Sequence, residues 1–126
     1  MGFLDRWQPQ LLSVLRIVSG LLFLEHGMAK LLHFPHVAMF DNLKVVSFLG
    51  LAGIIELVGG ALVTVGLFTR YAAFVMSGEM AVGYFLFHAR QGFFPVLNNG
   101  DAAILFCFVF LYLAAAGPGP WSLDRK

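Results

Sequence analysis

The chain has 126 residues, of which 60% are hydrophobic and only 12% charged, with a mean hydropathy of +0.84; this balance excludes an ordinary soluble globular domain. The length is that of one domain, residues 1–126, and a formal net charge of +1 without a basic stripe excludes a nucleic-acid partner. With Cys107 as the single cysteine, neither an intramolecular disulfide nor dithiol shuttling within one chain is available.

Four apolar segments follow one another, at about 11–32, 48–68, 71–89 and 101–116. Crossing the hydrocarbon core takes about 20 helical residues, with a range of about 17–25. The first two segments meet that length, the third does so with little tilt, and the fourth needs help from its flanks. The first segment reads as a retained span rather than a signal peptide. Its apolar run holds Arg16, continues into Glu25 and His26, and lacks a small-residue cleavage site. No segment has the wide polar face of a soluble bundle helix, and backbone immersed in lipid must satisfy its own hydrogen bonds. The expected fold is therefore all-α, a polytopic membrane four-helix bundle.

The connections agree with that reading. Residues 33–47 form a substantial loop, Thr69-Arg70 is too short for anything but antiparallel neighbours, and 90–100 is rich in turn residues. Gly117-Pro118-Gly119-Pro120 ends the last helix, because proline cannot continue it. Four spans place Arg6, Arg70, Arg125 and Lys126 on one side, with Arg16 within snorkelling reach and Trp7, Tyr71 and Trp121 at the same interface. Basic residues favour the cytoplasmic face, so both termini are expected there, and all four histidines then lie toward the outer face.

Within these spans the polar residues are few, and each is costly in lipid. At about 1.5 Å of rise per residue, Glu25, Glu56 and Glu79 lie roughly 10, 12 and 15 Å below the outer ends of three different helices. Three acids on three spans thus share one depth band. On the first helix Arg16, Ser19, Phe23, His26 and Lys30 fall on one stripe and Glu25 beside it; on the second, Ala52, Glu56, Gly60 and Thr64 form a small-residue row suited to close helix approach. Glu79 shares a face with Ala72, Met76 and Gly83, while Tyr84 and His88 lie on the opposite side of that helix. Three buried acids facing few bases cannot all stay ionised cheaply, so at least one of Glu25, Glu56 and Glu79 is expected to be protonated at neutral pH. These groups are candidates for proton or ligand handling; the plainer alternative makes them hydrogen-bonding glue between helices. No metal site is expected. His33 and His36 make a poor surface pair, and haem ligation by His26 and His88 is disfavoured because their depths differ by roughly 9 Å.

Several motifs resemble the DoxX family of small bacterial membrane proteins, in order along nearly the whole chain. They are Leu15-Arg16-Ile17 with Gly20-Leu21-Leu22-Phe23 and His26-Gly27-Met28-Ala29-Lys30; then Glu56-Leu57-Val58-Gly59-Gly60 and Gly66-Leu67-Phe68-Thr69-Arg70; then His88 with Gly92-Phe93-Phe94-Pro95. Asn98-Asn99-Gly100-Asp101 resembles the family's Asn-Gly-acid approach to the last helix, with Asp101 where Glu is common, and the ending Gly117-Pro118-Gly119-Pro120-Trp121-Ser122 also matches. The resemblance implies a multi-pass protein of the bacterial inner membrane. It also brings association with redox complexes and oxidative-stress defence, and in the related DoxD proteins with a thiosulfate:quinone oxidoreductase; more distant relatives act as cargo receptors or assembly factors. Fold analogy of this kind does not fix a reaction.

Three functions remain open at this stage. One is a membrane redox component with a quinone-binding polar pocket in the outer half of the bundle, lined by His26, Lys30, Glu25, Glu56 and Glu79, with His88 above and Arg16, Tyr84, Asn98, Asn99 and Asp101 as secondary candidates; it would need a bound cofactor or a redox partner protein, since no residue here carries electrons. The second is a non-enzymatic scaffold or assembly partner acting through the loops at 33–47 and 90–100. The third is a small ligand-binding or transport protein, which with four short spans would need a homo-oligomer.

Overall fold

The structure, a computed structural model, describes residues 2–44 and 46–124; Arg125 and Lys126, counted above in the charge bias, lie outside them. Among the described residues every regular element is helical. A short α1 (Gly2–Asp5) leads into α2 (Gln8–Leu31), and a 3-10 turn at Ala38–Phe40 precedes α3 (Phe48–Val65). Then come α4 (Thr69–Gly83), a short α5 (Pro95–Asn98) and α6 (Asp101–Ala116). α4 does not stop at Gly83. A π-helical turn over Tyr84–His88 and a 3-10 turn over Ala89–Gln91 carry it on, so its helical path spans Thr69–Gln91, 23 residues.

Local chemistry explains most boundaries. Pro9 sits in the first turn of α2, where its missing N–H costs nothing. Ser47 caps α3, its Oγ accepting from the Gly50 N–H at 3.1 Å. Gly66 closes α3 in the left-handed region, φ 74°, which ends that helix short of the expected residue 68. The carboxylate of Asp124, far along the chain, accepts from the Phe68 and Thr69 N–H groups at 2.7 and 3.1 Å and so caps α4. The short helices α1 and α5 carry too little periodicity to stand out in the sequence.

Packing pairs α2 with α3 and α4 with α6, and the two pairs meet chiefly along α3 and α4. The α2–α3 contact is close because it is made on glycine. A Cβ on Gly60 would lie 2.5 Å from the Leu24 N, and one on Gly27 would strike the backbone of Leu57; only hydrogen at these positions lets the backbones meet. On the α4–α6 side Phe23, Val63, Ala73, Met76, Phe110 and Leu113 form the apolar core, with the Phe23 ring 4.6 Å from Phe110 and 4.9 Å from Phe106. The residues turned outward are apolar as well, among them Val18, Leu21, Leu51, Val58, Phe74, Leu105 and Phe108. The buried set instead includes Arg16, Glu56, Ser13, Thr69 and Asn98. Such an inversion suits a hydrocarbon surround, and α2, α3 and the Thr69–Gln91 helix are long and apolar enough to cross a membrane.

Candidate functional site

Two buried polar centres lie at opposite ends of the α2–α3 pair. At the end carrying the 33–47 loop, Lys30 of α2 meets Glu56 of α3. Its Nζ donates to Glu56 Oε1 and Oε2 at 2.6 and 2.8 Å, and Glu56 is 1% exposed. The pair exists because Gly27, one turn before Lys30, brings the two backbones together beside Glu56. Phe40, from the 3-10 turn, is buried over the ammonium with its ring centroid 5.8 Å from Nζ, a cation–π contact that shields the site. From α4 the Glu79 side chain reaches the Glu56 carboxyl within hydrogen-bonding range. Its Oε1 is buried without a partner among the described residues. One ammonium thus faces two carboxyls.

Other residues of the polar layer stand apart. Glu25 and His26 are exposed on the outside of α2, with the His26 ring edge-on to Phe23 at 6.1 Å. The reason lies in which flank of α2 meets α3. The helix turns its glycine edge, Gly20 and Gly27, inward, and the flank with His26 swings out. Tyr84, His88 and Asn98 gather instead at the end of the α4 path. Asn98, fully buried, donates from Nδ2 to Tyr84 Oη at 3.2 Å and to the Gly92 carbonyl at 2.9 Å, and its Oδ1 accepts from the Gly100 N–H at 2.8 Å. His88 Nδ1 lies 2.9 Å from the Asn98 carbonyl, its ring stacked on Tyr84 at 6.1 Å. Asn99 is exposed in the left-handed region, φ 60°, and Asp101 is exposed at the start of α6. His36 pairs with Asp41 at 2.7 Å on the surface. Cys107 is half-buried, with its carbonyl accepting from Ser77 Oγ at 2.7 Å.

Arg16 belongs to the other end. It is 1% exposed and, rather than snorkelling to an interface, donates to the Pro118 carbonyl and, at 2.5 Å, to the Trp121 carbonyl; its Nε alone lacks a partner among the described residues. Ser13 Oγ joins the same tail, accepting from the Trp121 N–H at 3.1 Å. The tail then pairs with the α3–α4 link, Leu123 N–H to Val65 and Asp124 N–H to Gly66. Burial alone would push the Asp124 carboxyl up, but the bonds from Thr69 and Phe68 and the nearby Arg16 hold it below the usual carboxylate range. Ser13 and Asp124 carried no signal in the sequence and Thr69 stood out only as part of a tight link and a motif; the returning tail gives all three a role.

Known proteins resemble this chain in sequence. The family model described as DoxX matches residues 11–89. An uncharacterized protein of Haemophilus influenzae (strain ATCC 51907 / DSM 11121 / KW20 / Rd) is 44% identical over 131 residues, covering 100% of this chain and 97% of the relative. The uncharacterized membrane protein Rv3486 of Mycobacterium tuberculosis (strain ATCC 25618 / H37Rv) is 28% identical over 133 residues, covering 94% and 82%. No solved structure matches.

Proposed function

Because the chain belongs to the DoxX family and is a multi-pass membrane protein, we propose that it serves as a component of a membrane redox or oxidative-stress system. In this reading Lys30, Glu56 and Glu79 exchange a proton with a quinone bound beside them. Four spans cross the bacterial inner membrane, α6 gaining length from its flanks, and both termini face the cytoplasm beside Arg6 and Arg70. The observation that carries the proposal is the buried Lys30–Glu56 ion pair with a second carboxyl, Glu79, against it. A second acid against an already paired carboxyl is the kind of close titratable cluster that gathers at functional sites. Ionisable residues inside a span usually mark such a pathway. Reduction of the quinone to its hydroquinone takes two electrons, both from the redox partner, and two protons, passed one at a time through the Glu56–Glu79 pair and replaced from water.

The test uses Glu56→Gln, which keeps shape and removes charge. Purified protein in lipid is expected to bind a short-tailed quinone, and the variant to lose both that binding and the cellular protection against oxidants. Full cellular function in Glu56→Gln, together with no quinone binding by the wild type, would overturn the reading.

A second reading rests on a different observation. Phe93, Phe94, Val96 and Leu97 are each 60% exposed or more, on a turn tied together by the hydrogen bonds of the buried Asn98. An apolar tip of this kind suits a scaffold or assembly partner. Photo-crosslinking from position 93 that captures a defined membrane protein would favour it, and capture of lipid alone would count against it.

A further inference from the structure

At the tail end of the bundle a cavity of about 1120 Å³ lies between the start of α2, the start of α4, the end of α6 and the returning tail. α2 and α6 hardly touch, which leaves the space open, and the tail bonded to Ser13 and Arg16 forms one wall. Ligand cavities commonly measure about 300–1,000 Å³, so this one takes a polar headgroup together with the beginning of an apolar chain. Its lining is mixed to match. Leu12, Tyr112 and Ala116 give an apolar wall, and Arg6 and Arg70 bring two guanidinium groups.

Neither arginine has a carboxylate partner. Asp5 and Asp124 line the same cavity, yet the ion pairs among the described residues are Lys30–Glu56 and His36–Asp41. Asp124 is committed to the Phe68 and Thr69 N–H groups, with Arg16 nearby. Arg70 is held from behind. Its Nη1 donates to the Ala114 and Ala115 carbonyls at 3.1 and 2.5 Å, at the end of α6 where a cation is favoured, and these are its only side-chain hydrogen bonds among the described residues. Arg6 lies 5.6 Å from the Trp7 ring centroid. Arg16 offsets Asp124 and Asp5 offsets one of the two arginines, so the cavity keeps one positive charge, carried by groups whose fork matches a phosphate. The surroundings say what bears that phosphate. Trp7, Tyr71, Tyr112 and Trp121 are all exposed at this end, and amphipathic aromatics of this kind sit at headgroup depth. We infer that the cavity binds one anionic phospholipid, with its phosphodiester between Arg6 and Arg70 and the start of an acyl chain against Leu12 and Tyr112. A soluble phosphate ester shares the headgroup chemistry but leaves the apolar wall unused.

The chain's two tryptophans provide the test. Trp7 stands between Arg6 and Gln8, and Trp121 between Pro120 and Ser122, all four of them lining residues, so a lipid with brominated chains reports its arrival by quenching their fluorescence. The full chain in phosphatidylcholine vesicles would be titrated with brominated phosphatidylglycerol and, separately, with brominated phosphatidylcholine. The anionic lipid is expected to bind about five-fold more tightly, the scale of one uncompensated basic residue at an anionic headgroup. Arg6→Gln and Arg70→Gln each bring the two lipids level, and Arg90→Gln, at the other end of the bundle, leaves the preference unchanged. Arg6 is exposed, so its variant keeps the test decisive even where loss of the Ala114 and Ala115 bonds unsettles Arg70→Gln. Equal quenching by the two lipids in the wild type, a preference that survives both arginine changes, or one lost equally in Arg90→Gln, overturns the proposal. Displacement of the brominated lipid by unlabelled phosphatidylglycerol alone supports it, whereas displacement by glycerol phosphate marks a site for soluble phosphate esters and overturns the assignment to lipid.

Discussion

The two ends of the α2–α3 pair bury charge in opposite ways. At the tail end Arg16 donates to the backbone carbonyls of Pro118 and Trp121, which cannot titrate, with a single carboxyl, Asp124, nearby. At the loop end Lys30 meets two carboxyls, which can. A buried cation held by carbonyls fixes the path of the tail. A buried cation shared by two acids, on the proposed reading, keeps a proton that has two places to go. Burial alone therefore says little about function in this bundle, whereas the ratio of acids to bases around a buried charge says a good deal.

That contrast can be broken by mutation. The largest effect is expected from removing both acids. Glu56→Gln with Glu79→Gln leaves Lys30 buried and uncompensated, at about 3–5 kcal/mol, while either single change costs less than half of that because the remaining acid ionises in its place. Thermal denaturation in detergent of the two singles and the double would show this non-additivity. Arg16 has no such reserve. Arg16→Met strips two carbonyls of a charged donor and should cost about 3 kcal/mol by the same measurement. A smaller effect, about 1–3 kcal/mol, is expected for Gly27→Ala, which wedges α2 from α3 and should also loosen the Lys30–Glu56 pair, seen as faster amide exchange in both helices.

The smallest effect belongs to the cap at the tail. Asp124→Asn removes a charged acceptor from the first turn of α4 and should cost about 1 kcal/mol. Its sign with pH follows from the direction of the shift. A carboxyl held below its unfolded value stabilises fully above that value, about 3.9, and the advantage fades as pH falls through the folded one. Wild type should melt higher than the variant at neutral pH, and the two should converge in acid.

Much of this was legible in the sequence. Apolar length marked the long helices, and depth counting brought Glu56 and Glu79 to one level with Lys30 near. What failed was azimuth. A stripe through residues 16, 19, 23, 26 and 30 put His26 beside Lys30, but α2 rotates its glycine edge onto α3 and leaves His26 and Glu25 outside. Helical periodicity fixes which residues share a face, and the partner decides which face is buried. The tail was illegible for another reason. Asp124 capping α4 and Trp121 receiving Arg16 join residues more than fifty positions apart, and no local pattern encodes such a contact. The link of Tyr84 and His88 to Asn98 likewise depends on a π turn that redirects the end of the α4 path.

The central claim is that Glu56 and Glu79 hold one proton between them beside Lys30. Infrared difference spectroscopy of the ligand-free protein in lipid at neutral pH addresses it directly. The account predicts a protonated-carboxyl C=O band in the wild type that disappears in Glu56→Gln and equally in Glu79→Gln, since the acid left behind ionises against Lys30. A wild type showing only carboxylate bands, or a protonated band untouched by both substitutions, would contradict it.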